Sequence, residues 1–188
     1  MNNDISRRQF FRLGLSDAAG LMRQDSATKA VETACLRPPG ALADERDFLS
    51  ACERCGKCAE ACPYDVIKQL GPGAGKAENT PFIEPEENPC RWCASMDCVN
   101  ACPSGALSFG PDQSIRPIGK AVLDLTSCLT QQGILCDACA VVCPSEVGAI
   151  LMVQRKPQLD EDCCVGCGLC AFHCASTPSS LKIVGKRE

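Results

Sequence analysis

The sequence predicts an α+β fold made of two small fused modules with short strands and short helices. Three observations carry this expectation. Sixteen of the 18 cysteines fall into four groups of four. Three of the groups end in a common turn, Ala61-Cys62-Pro63, Ala101-Cys102-Pro103 and Val142-Cys143-Pro144, so the chain reads as a degenerate four-fold repeat. Short β-branched or alternating apolar runs then recur between the groups, at 81–85, 106–109, 120–125, 149–153 and 181–184.

In chain order, residues 1–36 read as an N-terminal segment and linker and 37–188 as the cysteine-bearing domain. Arg37-Pro38-Pro39-Gly40 breaks any helix at the boundary. A helical stretch with Phe48 and Leu49 leads into the first group, Cys52, Cys55, Cys58 and Cys62. The second is Cys90, Cys93, Cys98 and Cys102, the third Cys128, Cys136, Cys139 and Cys143, and the fourth Cys164, Cys167, Cys170 and Cys174. Between the first two, Gly71-Pro-Gly-Ala-Gly-Lys76 looks like a phosphate loop, but its glycine-to-lysine spacing is wrong and Ala77 replaces the Ser/Thr. It reads as a flexible connector.

The first group has the spacing C-x2-C-x2-C-x3-C-P, which wraps three corners of a [4Fe–4S] cubane and sends the fourth cysteine to the other cluster of a pair. The fourth group keeps the gaps but has Ala175 for the proline. The second and third widen one gap each, to four and seven residues, without losing a ligand. Gly56 and Gly168 follow the second cysteine of their loops, where a side chain would crowd the cluster or a positive φ is required. The expectation is four [4Fe–4S] clusters held by all sixteen cysteines, and hence an electron carrier with no active site of its own. Disulfide scaffolds do not repeat three cysteines at i, i+3, i+6 before Cys-Pro, and zinc ribbons need no third cysteine in a loop. Cys35 and Cys163 are left over and read as buried or capping thiols. His173, the only histidine, reads as a partly exposed structural residue.

Six Phe, one Tyr and one Trp make a weak core for 188 residues. Metal ligation must therefore supply much of the folding free energy, as structural zinc does in small domains at about 10–16 kcal/mol. The formal charge is −4. Thiolate-bound clusters would make it more negative and favour docking on basic partner patches. There is no basic face or aromatic platform for nucleic acid, and no run of about 20 apolar residues for a transmembrane helix. Ser6-Arg7-Arg8-Gln9-Phe10-Phe11-Arg12 matches the twin-arginine export signal. The apolar stretch after it is short and carries Asp17, with Arg23 close behind, so the segment is expected to stay uncleaved and the protein to stay in the cytoplasm. Periplasmic export is the alternative.

With these residues assembled, the chain resembles the ferredoxin-type accessory proteins of the NapF, NapG and MauM group. The likeness rests on Ser6-Arg7-Arg8, Arg37-Pro38-Pro39-Gly40, Phe48-Leu49, Cys62-Pro63-Tyr64, Cys102-Pro103-Ser-Gly-Ala106-Leu107 and the long Cys128–Cys136 loop. It covers essentially residues 36–188. It implies two fused ferredoxin-like modules serving a respiratory molybdoenzyme such as periplasmic nitrate reductase. The implied partners are the molybdoenzyme catalytic subunit and a quinol-oxidising membrane subunit. A maturation factor for that catalytic subunit, or an electron-input subunit of a cytoplasmic dehydrogenase, are the alternatives.

Linkers of 27, 25 and 20 residues between successive groups leave the pairing of groups open. The wider likeness to four-cluster β subunits of dimethyl-sulfoxide-reductase-type enzymes implies nested pairing. Cys62 would then join Cys164, Cys167 and Cys170, and Cys174 would join Cys52, Cys55 and Cys58. Cys102 would join Cys128, Cys136 and Cys139, and Cys143 would join Cys90, Cys93 and Cys98. An outer module (45–80 plus 155–188) would then enclose an inner one (81–154).

Overall fold

Helix α1 (Glu45–Ala51) starts at Asp44, whose carboxylate accepts from the amides of Arg46 at 2.7 Å and Asp47 at 3.2 Å. It buries Phe48 completely. The computed structural model describes residues 35–185. The twin-arginine-like stretch falls outside the described residues. Leu36 already belongs to the fold, because its carbonyl accepts from the Ile83 amide at 2.8 Å.

Short elements follow: α2 (Lys57–Glu60), β1 (Ile67–Gln69), β2 (Pro81–Ile83) and α3 (Asp97–Asn100). Then come β3 (Gly119–Leu123), α4 (Ala138–Val141), β4 (Ile150–Val153), β5 (Lys156–Leu159), α5 (Leu169–Phe172) and β6 (Leu181–Gly185). Three two-stranded antiparallel sheets result: β1 with β2, β4 with β5, and β3 with β6. The runs at 81–85, 120–125, 149–153 and 181–184 thus become strands. The run at 106–109 forms only isolated bridges, Ala41 to Leu107 and Phe109 to Ile115. Strands β1 and β5 are additions to the expected set. One is three residues long with two of them polar, and the other carries Pro157, which is tolerated because a two-stranded ribbon consists of edges.

One apolar core gathers Phe48, Val66, Ile83, Met96, Val99 and Leu107, all from residues 36–118. A second gathers Ala121, Ile150, Ala171 and Leu181. Ile183 of β6 packs against both. Arg37 fastens the first core. It is 7% exposed, lies 4.6 Å from the Phe48 ring centroid, and donates to Thr80 Oγ1 at 2.9 Å and the Pro81 carbonyl at 2.7 Å. Its remaining donors reach both Glu45 carboxylate oxygens, at 2.5 and 3.2 Å.

The 71–76 connector runs into a 3-10 turn, Gly75–Ala77, with Ala77 fully buried, and the Arg54 guanidinium donates to the Lys76 carbonyl at 3.0 Å. Among the described residues, no helix is long and apolar enough to cross a membrane.

Candidate metal centres

Each ligand loop runs into a four-residue helix, and that helix carries the third cysteine: Cys58 on α2, Cys98 on α3, Cys139 on α4 and Cys170 on α5. Entry to α2 and α5 requires a left-handed residue, met by Gly56 at φ +75° and Gly168 at φ +89°. What crowds Gly168 is a neighbouring loop, since an added Cβ would lie 2.2 Å from Pro85 Cβ. In the longer second loop, Met96 takes the same left-handed position at φ +43° and buries its side chain in the first core.

The loops bring the thiols together in four sets. Set A is Cys52, Cys55, Cys58 and Cys102, lining one hollow. In set B, Cys90 and Cys98 both lie near Cys93 and Cys62, and Cys90 also lies near Cys167. Set C is Cys143, Cys164, Cys167 and Cys170, lining a second hollow. Set D is Cys128, Cys136, Cys139 and Cys174, lining a third. The fourth cysteine of every loop crosses over, as its spacing predicts, but to the adjacent loop.

The nested pairing and the outer and inner modules built on it are therefore overturned. Cys62 joins Cys90, Cys93 and Cys98, Cys102 joins Cys52, Cys55 and Cys58, and Cys143 and Cys174 exchange within the second half. The physical reason lies in the linkers. The stretch from Cys62 to Cys90 contains the antiparallel pair β1–β2, and that from Cys143 to Cys164 the pair β4–β5. Each turns the chain back so that consecutive loops meet. The middle linker supplies β3, which pairs with β6 instead.

The halves meet through sets B and C. The Cys90 amide donates to the Cys167 carbonyl at 2.9 Å, and the Ile118 amide donates to the Val165 carbonyl at 3.0 Å. Cys170 of set C in turn feels Cys139 of set D. The spatial row is A, B, C, D, whereas the corresponding loops run first, second, fourth, third.

Residues 51–105 and 89–147 each match the family described as the 4Fe-4S dicluster domain. The first match covers the two loops that build sets A and B. The second straddles the boundary between the halves. The methylamine utilization ferredoxin-type protein MauM of Methylorubrum extorquens is 37% identical, over 95% of this chain and 89% of its own length. MauM of Methylobacillus flagellatus is 40% identical over 79% and 68%. The ferredoxin-type protein NapG of Escherichia coli is 38% identical over 89% and 76%. The chain belongs to the MauM and NapG group of ferredoxin-type proteins. As in that group, it is an iron–sulfur electron-transfer protein, with short helices and strands around dicluster domains.

The donor chemistry of this ferredoxin-type chain fits [4Fe–4S] clusters. Burial pushes the Cys58 thiol up to about 11 and those of Cys90, Cys98 and Cys170 up to about 12. Such thiols become thiolates only when a cation displaces their protons. Among the described residues, no three His, Cys, Asp or Glu side chains close on a point suited to a single metal ion. Four thiols brought together in each set instead suit a larger, four-cornered group.

Donors to the sulfurs differ between sets. Main-chain amides reach Cys90 Sγ from Trp92 at 3.4 Å, Cys102 Sγ from Leu107 at 3.4 Å and Cys164 Sγ from Ala121 at 3.3 Å. Hydroxyls lie beside Cys102 (Ser104, 3.7 Å), Cys128 (Thr130, 3.2 Å) and Cys174 (Ser176, 3.0 Å). Desolvation alone would raise Cys174, but bonds from Ser176 and its neighbours outweigh it and bring the thiol down to about 7. The sequence reading missed these hydroxyls, although the signal is simple: each stands two residues after a ligand cysteine.

The leftover residues separate. Cys35 is half-buried, and burial raises its thiol to about 11. Cys163 is exposed, contrary to a buried role, and its amide closes a turn on Asp160 Oδ1 at 3.3 Å. His173 is exposed, with its ring edge-on to Phe172.

Proposed function

We propose that all sixteen cysteines of sets A to D ligate iron, that the chain carries four [4Fe–4S] clusters, and that it serves as an accessory to a respiratory molybdoenzyme such as periplasmic nitrate reductase. The observation that carries this reading is the completeness of the four thiol sets together with their contiguity. A and B exchange Cys62 and Cys102, B and C meet at Cys90 and Cys167, and C and D exchange Cys143 and Cys174. Bound [4Fe–4S] clusters supply one-electron transfer at potentials set by their surroundings.

The protein's own residues hold the sulfurs in place, wall them with apolar side chains such as Phe48 and Leu107, and offer amide and hydroxyl donors to them. The proposed partners are a quinol-oxidising membrane subunit on one side and the molybdoenzyme catalytic subunit on the other. The formal charge of −4 favours basic docking patches on both. The proposed compartment is the cytoplasm, at the membrane. The N-terminal mass of protein from its native host tests this, because a start between residues 27 and 36 together with periplasmic recovery would reverse it.

Anaerobic purification followed by iron and sulfide analysis tests the cofactor. About 16 Fe and 16 sulfides per chain are expected. Stoichiometric zinc, or iron near half that value after reconstitution, would overturn the reading.

A further inference from the structure

We infer that Ser176, backed by the buried Ser180, and Thr130 give the cluster site at set D the most positive reduction potential of the row, making it the end where electrons collect. The inference rests on the four-cluster reading above and concerns how this chain's side chains treat one of those sites.

A hydrogen bond to a ligand sulfur stabilises the reduced, more negative state of a cluster and raises its potential. A cluster-bound thiolate can only accept. The Ser176 hydroxyl, 3.0 Å from Cys174 Sγ, must therefore donate to it, and likewise Thr130 to Cys128 Sγ at 3.2 Å. Ser176 is held for that task. Its oxygen accepts from the Ser180 amide at 3.1 Å and lies 2.6 Å from the Ser180 hydroxyl. Ser180 is 2% exposed, and its hydroxyl proton is left to point at Ser176. The result is a relay from Ser180 through Ser176 to Cys174 with its direction fixed by the thiolate.

No other set matches this pair of hydroxyl donors. Set A has the Ser104 hydroxyl at 3.7 Å and the Leu107 amide at 3.4 Å, both on Cys102 and both longer than the set D contacts. Set B has Tyr64, with no hydroxyl bond to sulfur, two residues after Cys62, and one amide donor, Trp92 to Cys90 Sγ at 3.4 Å. In set C, Ser145 holds the equivalent position after Cys143, but its hydroxyl turns to Glu146 Oε2 at 2.8 Å, which leaves the Ala121 amide on Cys164 Sγ at 3.3 Å. Neighbouring carboxylates do not reverse the order: within three residues of its cysteines set D has only Asp137, whereas set A has Glu53 and Glu60, set B has Glu60, Asp65, Glu87 and Asp97, and set C has Glu146, Glu161 and Asp162. Set D also ends the row, so an electron arriving there has no further site within the chain.

The test is an anaerobic redox titration of the holo-protein followed by electron paramagnetic resonance. The set D signal is assigned as the one whose line shape changes in Cys174→Ser. That signal should have the most positive midpoint. Ser176→Ala and Thr130→Val should each lower its midpoint by about a tenfold change in the reduction equilibrium, 59 mV for one electron, while Ser176→Thr and Thr130→Ser keep it and the other three midpoints stay put. A set D midpoint that is not the highest, or that both hydroxyl deletions leave unmoved, overturns the inference. If Ser176→Ala loses iron, the wild-type assignment and the Thr130→Val against Thr130→Ser comparison decide it. Fewer than four cubanes in the wild-type protein would instead refute the four-cluster reading.

Discussion

Cys90 and Cys167, thiols of different halves of the chain, are joined by one main-chain hydrogen bond of 2.9 Å from the Cys90 amide to the Cys167 carbonyl. The junction is tight because Gly168 lies against Pro85 and Gly166 against Gly119. Gly168→Ala should lose at least about 2 kcal/mol, from the left-handed backbone and the overpacked contact together. Gly71→Ala, which meets nothing within 4 Å, should stay within about 0.5 kcal/mol. Guanidinium midpoints for bleaching of the visible cluster absorption, measured anaerobically, compare the two.

Ligand sharing can be counted in iron. Cys62 and Cys98 belong to one set, so Cys62→Ala/Cys98→Ala should lose a single cubane and keep about 12 of about 16 Fe. Were the pairing nested, the same double variant would forfeit two cubanes. Elemental analysis after reconstitution separates these outcomes.

Arg37 is the buried charge of the first core, paired with Glu45 and stacked on Phe48. Arg37→Ala leaves Thr80, Pro81 and Glu45 without their donor and should destabilise the first half by about 3 kcal/mol. Arg37→Lys should rescue only part of that, since an ammonium cannot serve both Glu45 oxygens and the Pro81 carbonyl at once. Thermal loss of the cluster absorption reports the effect.

Removing iron should unfold the protein, and the pH dependence of iron retention has a definite sign. In the unfolded, iron-free chain the thiols lose their burial and return to the free value of about 8.5, so they are protonated at neutral pH. Loading therefore releases protons, and affinity rises with pH until those thiols ionise by themselves. Iron retention against a fixed chelator should increase steadily from pH 6 to pH 9, and limited proteolysis of the chelated protein should yield no resistant core. A chelated form that stays protease-resistant would contradict this.

The grouping of the thiols was legible in the sequence because cysteine spacing is a local property: closely spaced cysteines fall into one loop whatever the rest of the chain does. Pairing between loops was not. It is decided by where β1, β2, β4 and β5 turn the chain, and two of those strands, Ile67–Gln69 and Lys156–Leu159, carry almost no apolar alternation. Analogy to a larger assembly supplied the wrong partner for each crossing cysteine. The Arg37 clamp was visible only as Arg-Pro-Pro-Gly, a helix breaker, because its partners Thr80 and Pro81 lie more than 40 residues away. The hydroxyls at Thr130 and Ser176 lay in plain view, but polar residues after a ligand are common, and only the bond lengths distinguish them from Ser145.

The exchange of Cys62 and Cys102 between neighbouring loops also sets a timetable for synthesis. All eight cysteines of sets A and B lie between residues 52 and 102, whereas set C is complete only at Cys170 and set D at Cys174. At translation rates of about 5–20 residues per second, the 72 residues from Cys102 to Cys174 take roughly 4–14 s. Through nearly all of that interval the first half has every thiol of its two sets while neither set of the second is complete. On the four-cluster proposal, a half-finished chain would already carry every thiol that two of the clusters need.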